Sequence, residues 1–518
     1  MRSQMVKFIE NSSKWEPFNR PLFEGPKSRD LSRVGVIDVG SNSVRLVIFD
    51  GAARSPAYFF NEKVMCGLGA GLAETGKLNP DGRRRALAAL RRFCSIGKDI
   101  GLPDLTAIAT AAVREASDGK GFVKQVYSET GLKIHIVDGL EEARLSAQGV
   151  LLGWPGSYGL VCDMGGASME LAEISNGRVG KRNSSSLGPL NISSIPGGKR
   201  AQTKFISETL DDLKARMGSQ SDRLFLVGGS WRAIAHIDMY RRGYPMHVIH
   251  EYRMTSHDIR KTEKYIKETN LENLKAKIQI DAGRIALVPI AMKVLRGLVR
   301  RFKPHDIAVS SYGIREGMLY EQMPQVMRDR DPLIESCHFA ERKDARLPGF
   351  GMRLHKFISP VFLNTFSDKA RLIQAACLLH DVSWRAHPDF RAEVCFDYAT
   401  RANLGGLSHK ERVFLGLALL FRYGNKSNGA QFKPMLKLLS DGDIKEAEVI
   451  GKAMRLGAML WANPDNETAM LAWNPKKKLL ALTLTAEAEP LFGEVAEVRF
   501  HSLAKALEAT TQLDIKLT

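Results

Sequence analysis

A chain of 518 residues, 44% hydrophobic and 25% charged, is too long for one hydrophobic core, and three or four domains are expected. A formal net charge of +18 and a pI near 9.6 point to an acidic partner, either nucleic acid, an anionic membrane surface or a polyanionic substrate. Six cysteines without a CxxC pair argue against a zinc ribbon or disulfide framework, and no apolar run reaches the ~18 residues of a membrane helix, so a soluble protein of the reducing cytoplasm is expected.

Residues 1–32 are polar, lack the apolar segment of a secretory signal, and read as a flexible extension. Residues 33–155 read as a first α/β domain. Val34–Asp38 is a β-branched run ending in an acid, Gly40-Ser41-Asn42-Ser43 is a tight turn, and Val44–Phe49 is the return strand. Asp81–Gly97 shows the apolar face Leu87, Leu90 and Phe93 of a helix. Leu105–Thr110 and Lys133–Val137 read as strands, and a helix carrying Glu141, Glu142 and Arg144 starts near Gly139. The pattern recurs over 156–321: strand Tyr158–Asp163, turn Gly165-Gly166-Ala167-Ser168, strand Met169–Ile174. The two acids are 125 residues apart (163 − 38 = 125), and Ser168 and Leu171 match Ser43 and Leu46 at that offset. A diverged duplication is predicted, with two similar halves facing each other across a cleft. The second half continues through Arg223–Val227 and Gly228-Gly229-Ser230 to Ser310–Gly317. Long amphipathic helices follow over 322–460. A small α+β unit over 461–518 closes the chain, with Lys477–Thr485 and Val495–Phe500 as strands and His501–Thr511 as a helix.

A tight turn after a buried strand exposes consecutive N–H groups that bind phosphate oxygens, and glycine permits close approach. The acid at the strand end would repel phosphate, and makes sense if it holds Mg²⁺ that bridges to it. A single Asp-x-Gly turn is most often a plain hairpin. Two matched turns and a third at Val227–Ser230 favour a phosphate and metal site, which by itself fits a kinase as well as a phosphoanhydride hydrolase.

Four stretches occur in order: Ala109-Thr110-Ala111-Ala112-Val113-Arg114-Glu115-Ala116, Gly139-Leu140-Glu141-Glu142-Ala143-Arg144, Asp163-Met164-Gly165-Gly166-Ala167-Ser168-Met169-Glu170-Leu171, and Gly313-Ile314-Arg315-Glu316-Gly317-Met318-Leu319-Tyr320. Together they resemble the exopolyphosphatase/guanosine pentaphosphate phosphohydrolase family of the actin-like ATPase and sugar-kinase superfamily, from about residue 33 to 325 and more loosely beyond. The resemblance implies an α/β fold of two ribonuclease H-like, actin-type domains, then a mainly helical HD-like domain and a small α+β domain. It also implies removal of the terminal phosphate of inorganic polyphosphate, with guanosine pentaphosphate as the alternative substrate, using Mg²⁺ or Mn²⁺, in a homodimer.

Carried over residue by residue, it makes Glu142 the general base on water, with Glu141 as a neighbour to be distinguished from it. Asp38, Asp163 and Glu170 hold the metal, and Glu170 completes the acidic cluster around the water. Arg114 grips a phosphate with its fork of donors. Ser41, Asn42, Ser43, Gly165, Gly166, Ser168, Gly228, Gly229 and Ser230 contact phosphate. Two places depart from the family pattern. Ala167 replaces a third glycine, and its methyl would narrow the phosphate approach. Leu187-Gly188-Pro189-Leu190-Asn191 stands where a basic or polar pair is usual.

His380-Asp381, with His355, His387 and His409, resembles the core of an HD-type domain, and is expected to be a retained fold rather than a second catalytic centre. The clusters Arg83-Arg84-Arg85, Lys199-Arg200, Arg241-Arg242, Arg300-Arg301 and Lys476-Lys477-Lys478 each read as a solvated face, but their total favours a polyanion. An ATP-dependent sugar or acetate kinase shares the fold but not the Glu-Glu-Ala-Arg and Arg-Glu-Gly stretches. A nucleic-acid-binding protein lacks any recognition signature here, and neither nucleic acid nor membrane is an expected partner.

Overall fold

The computed structural model describes residues 17–220, 222–278, 280, 282–363, 367–424, 429–460 and 468–516. They fall into two compact units. One takes its residues from Met1–Gly25, Leu31–Asp50 and Tyr58–Gly139, the other from Pro26–Asp30, Gly51–Ala57 and Leu140–Thr518. The helix Gly139–Gly153 therefore groups, from Leu140 on, with the second unit.

Val34–Val39 (β1) and Ser43–Ala52 (β2) pair antiparallel, and Gly40 N–H closes the turn on Ser43 O at 3.0 Å. Ser55–Met65 (β3) flanks β2. Leu105–Ala109 (β4) and Ile134–Ile136 (β5) run parallel to β1, giving the order β3-β2-β1-β4-β5. The helix Pro80–Asp99 starts with its N-cap Asn79 accepting from Gly82 N–H, and buries Ala86, Leu90 and Phe93 against the sheet residues Ile37, Val39 and Leu46.

The second unit repeats this plan. Gly159–Met164 (β6) and Met169–Ser175 (β7) form the antiparallel hairpin, closed by Gly165 N–H on Ser168 O at 3.0 Å. With Arg178–Ser185 (β8), Arg223–Val227 (β9), Tyr252–Met254 (β10) and Asp306–Ser310 (β11) the order is β8-β7-β6-β9-β11-β10. β9 and β11 run parallel to β6, as β4 and β5 do to β1, and β10 adds an antiparallel edge. The duplication predicted from the spacing of 125 is thus present in strand order, strand direction and the turn bond itself. Adjacent residues Leu160 and Val161, and Leu224 and Phe225, are nearly fully buried, as expected for strands covered on both faces.

The helix Gly139–Gly153 crosses Ile314–Glu321 at backbone distance. A Cβ on Gly317 would lie 1.8 Å from Leu145 O and 3.0 Å from Gly149 N. This is the physical content of the Arg-Glu-Gly stretch: Gly317 seats the helix that carries Glu142, while Glu316 caps its own helix by accepting Gly313 N–H at 2.8 Å. Gly317→Ala is expected to destabilise the protein by about 3 kcal/mol through overpacking, read as a lower urea midpoint at unchanged slope.

The C-terminal half of the second unit is helical, with one core running through Pro332–Asp344, Phe350–Ile358, Ser367–Leu379, Arg391–Arg401, His409–Arg422 and Asp441–Leu460. Ala469–Asn474 (β12), Leu479–Thr485 (β13) and Thr510–Lys516 (β14) form a three-stranded sheet beside the helix Glu494–Leu507. Val495–Phe500, expected as a strand, is part of that helix, and the expected helix His501–Thr511 ends at Leu507. The apolar face is Ala496, Phe500, Leu503 and Ala504, at helical spacing, while Val495 and Val498 are exposed; the β-branched residues misled the period. Part of the expected flexible extension 1–32 is ordered. Residues 1–16 lie outside the described residues, but Leu22 and Leu31 are buried and Thr106 Oγ1 donates to Pro17 O at 3.0 Å. Residues 461–467, where the last unit was expected to begin, lie outside the described residues. Among the described residues no helix is long and apolar enough to cross a membrane.

Candidate active site

Asp163 on β6 and Glu170 on β7 are directly opposite in the antiparallel register, so their side chains share one face of the sheet. Like charges so placed repel unless a proton or a cation intervenes. Glu170 is 1% exposed. On its other side Ser184 of β8 donates to Oε1 at 2.9 Å, while Oε2 is buried without a hydrogen bond among the described residues. Burial, then the charges of Glu142 and Asp163, push the Glu170 carboxyl well above the usual carboxylate range; the Ser168 and Ser184 hydroxyls oppose this only in part.

Glu142 sits in the first turn of Gly139–Gly153 and is 8% exposed. Ser146, one turn on, donates its hydroxyl to Asp163 Oδ2. One helical face thus sends Glu142 and Ser146 to the Asp163–Glu170 pair. The adjacent Glu141 has another fate: Arg144 binds it at 2.6 and 2.8 Å and also reaches Glu321. The two neighbouring glutamates are therefore distinguished by their surroundings, Glu141 beside a cation and Glu142 beside acids.

Gly228 follows β9 with φ +114°, and a Cβ there would lie 2.4 Å from Met164 O and 3.1 Å from Asp163 Oδ1. Only glycine lets this turn approach Asp163 so closely. Gly229 and Ser230 open the helix Gly229–Arg242, and the Arg284 guanidinium stands 3.1 Å from where a Gly229 Cβ would be. Arg284 escaped the sequence reading because it lies in a plain helical stretch with no motif around it. Ser146 and Ser184 escaped for the same reason, although Ser146 follows Glu142 at the spacing that shares a helix face.

The turn Gly165–Ser168 is braced from behind. Gly166 O accepts Leu190 N–H at 2.9 Å, and Ala167 O accepts Gly188 N–H at 3.2 Å and the Asn191 side chain at 2.8 Å. A Cβ on Gly188 would fall 2.1 Å from the Ala167 carbonyl carbon. The unusual stretch Leu187–Asn191 therefore supports the turn through its backbone, and Ala167 is buried at 5% exposure.

Asp38, Ser41, Asn42, Ser43 and Arg114 belong to the first unit. There the residue opposite Asp38 is Arg45, which is the counterpart of Glu170 (170 − 45 = 125). Ser41 O and Asn42 O accept the N–H groups of Gly69, Cys66 and Gly67, so this turn organises the loop after β3, and Ser43 O closes the hairpin. Arg114, in Ala111–Glu115, donates to Val137 O at 2.9 Å and lies 3.5 Å from Glu115.

His355, His380, His387 and His409 are put to separate uses. His380 Nδ1 lies 2.7 Å from Cys377 O, and Arg346 grips Asp381 at 2.6 and 2.8 Å. Burial, then the Arg422 charge, push His380 down to about 4. His409 bonds Tyr244 and His250 O, His387 lies 3.5 Å from Asp389, and burial lowers His355. Among the described residues no group of three or more His, Cys, Asp or Glu side chains is spaced to hold a metal ion unaided. Several basic clusters are also engaged internally: Arg83 with Asp118 and Gln125, Arg85 with Cys66 O, Arg241 and Arg242 with Asp238, and Arg301 with Asp211.

The model of the Ppx/GppA phosphatase family matches residues 47–326, and that of the exopolyphosphatase C-terminal region matches 356–513. Retrograde regulation protein 2 of Saccharomyces cerevisiae is 28% identical over 468 residues, 81% of this chain and 78% of that protein. Exopolyphosphatase 1 of Mycobacterium leprae is 32% identical over 143 residues, which is 27% of this chain and only 42% of that relative. An exopolyphosphatase structure from Cytophaga hutchinsonii has a TM-score of 0.52 at 22% identity, covering 56% of this chain and 98% of that one, a likeness of fold. The first match spans more than half of the 518 residues and includes the opposed Asp163 and Glu170, so the chain belongs to the Ppx/GppA phosphatase family.

Proposed function

We propose that the protein is an exopolyphosphatase that hydrolyses the terminal phosphoanhydride of inorganic polyphosphate and releases orthophosphate. The observation that carries this reading is the set of buried Glu142 and Glu170 with half-buried Asp163, built by one helix and two opposed strands. Phosphoryl transfer to water needs a positioned water, a carboxylate to orient it and cations to hold the developing charge. Glu142 accepts the proton of the attacking water. The turns Gly165–Ser168 and Gly228–Ser230 present N–H and hydroxyl donors to the phosphate oxygens. Asp38, Ser41, Asn42, Ser43 and Arg114 are the phosphate-binding groups of the first half.

The donor set fits Mg²⁺ or Mn²⁺. Three acids in mutual repulsion and a buried carboxylate oxygen without a partner are what a divalent cation neutralises. Asp163 and Glu170 would hold it from the second half, and Mg²⁺ usually keeps water and substrate oxygens as its other ligands. The cation supplies charge neutralisation of the phosphoryl oxygens. A homodimer whose groove holds a long chain completes the proposal.

Purified protein with Mg²⁺ is expected to release phosphate from long-chain polyphosphate, with a rate at low substrate that falls steeply as salt rises. Parallel assays use guanosine pentaphosphate, and ATP with acceptor sugars. Release from neither of the first two sinks the hydrolase reading. A regulatory reading has one observation in its favour, the Saccharomyces relative that spans most of the chain. A regulator needs no turnover, so the same assay separates the two.

A further inference from the structure

The helices His409–Arg422, Asp441–Leu460 and Glu494–Leu507 border a cavity of about 320 Å³ that the hydrolytic site does not use. Its walls include Phe421, Glu448, Lys452, Arg455, Arg499 and Ser502. Lys452 is neutralised by Glu448 at 2.6 Å. Arg455 and Arg499 have no carboxylate partner among the described residues, while Arg422 close by feels the charge of Asp381. The Nε atoms of Arg422 and Arg499 are buried without a hydrogen bond among the described residues. Arg455 is fixed in place: its guanidinium lies over Gly424, where a Cβ would be 1.7 Å from Nη1. After burial, the charges of Arg499 and Arg422 hold Arg455 below its usual pKa.

Two guanidinium groups without a carboxylate partner, with a third close by, cost stability through repulsion and lost hydration. Such a cluster is stable when a ligand brings the charge, and the planar forks of arginine match the oxygens of phosphate. We propose that this cavity is a second anion site, taking a phosphate or diphosphate group that sits between Arg455 and Arg499, with Ser502 as a further donor. It is built from other residues than the hydrolytic site and does not rest on the exopolyphosphatase reading. The group can be free orthophosphate or the end of a longer phosphate ligand.

The test is calorimetric titration of the full chain with orthophosphate and with pyrophosphate, with thermal melts in anion-free buffer. In Arg455→Met and Arg499→Met one anion site is expected to disappear or to weaken at least roughly tenfold, the loss for one or more charged hydrogen bonds. Relief of repulsion should leave their anion-free Tm at or above that of the parent. Arg499→Glu supplies the missing charge from within, so it should raise the anion-free Tm and abolish the anion-induced rise. A site filled by orthophosphate identifies the free ion; one filled only by pyrophosphate identifies a chain end. Unchanged titrations in both Met variants, or an anion-induced rise that persists in Arg499→Glu, overturn the proposal. Failure of the hydrolase reading would show separately, as absent phosphate release.

Discussion

Glu142→Gln is expected to lower kcat for phosphate release from polyphosphate by about 10²–10⁴, with little change in KM. Gln fills the same volume at a site only 8% exposed, so packing is preserved and the loss is one of proton acceptance. Glu141→Gln is the internal control. Glu141 is held by Arg144, which also binds Glu321, so its loss should loosen the helix slightly and leave kcat near the parent value. Steady-state phosphate release from both variants, with matched circular dichroism, makes the comparison. If Glu142→Gln turns over like the parent, or if Glu141→Gln is the one that fails, the general base has been misassigned.

Much of this site was legible in the chain because it depends on spacing. The interval of 125 residues placed both hairpins, and the structure repeats even the bond from the turn glycine to the fourth turn residue. Gly228 was also readable, and its reason is now steric, the approach to Asp163 Oδ1. Other features were hidden because they depend on what packs behind a turn. Nothing in Leu187-Gly188-Pro189-Leu190-Asn191 announces that it will hook onto Gly166 and Ala167, since backbone bonds leave no composition signal. Ser146, Ser184 and Arg284 are ordinary residues until the fold brings them to the acids and the glycine turn. The error at Val495–Phe500 has the opposite origin: local β-propensity was overruled by the helical stripe of Ala496, Phe500, Leu503 and Ala504.

The duplication also separates the two halves chemically. Asp38 faces Arg45 across its hairpin, whereas Asp163 faces Glu170. The same topological position thus carries one residue of each charge in one half and two acids in the other. Of the three acids expected at a metal, the pair in the second half has the greater need of a cation, and Glu142 adds a third negative charge there. The signal was present in the sequence at offset 125, in residues 45 and 170, but its meaning required the register.

Glu170→Gln should accordingly make the protein more stable and less active at once. The folded Glu170 carboxyl lies above its unfolded value, for reasons of burial first and then of Glu142 and Asp163. Below the unfolded value both states are protonated and the group contributes nothing. As pH rises past it, the unfolded chain releases a proton that the native state retains, so stability falls with pH until the folded value is passed, and the penalty then stays constant. Glutamine removes that penalty. In chelator the variant is expected to melt above the parent at neutral pH, with the gap closing towards the acid side. The same change removes a carboxylate from the proposed cation site, so the Mg²⁺ concentration for half-maximal phosphate release should rise at least about tenfold. Thermal melts against pH in chelator and a Mg²⁺ titration of activity measure the two halves of the prediction. A variant that melts lower in chelator would show Glu170 to be a structural acid with a partner in the native state. An unchanged Mg²⁺ dependence would remove it from the cation site. The combination of higher stability and weaker Mg²⁺ response is what a carboxylate kept against its own electrostatics for catalysis should give.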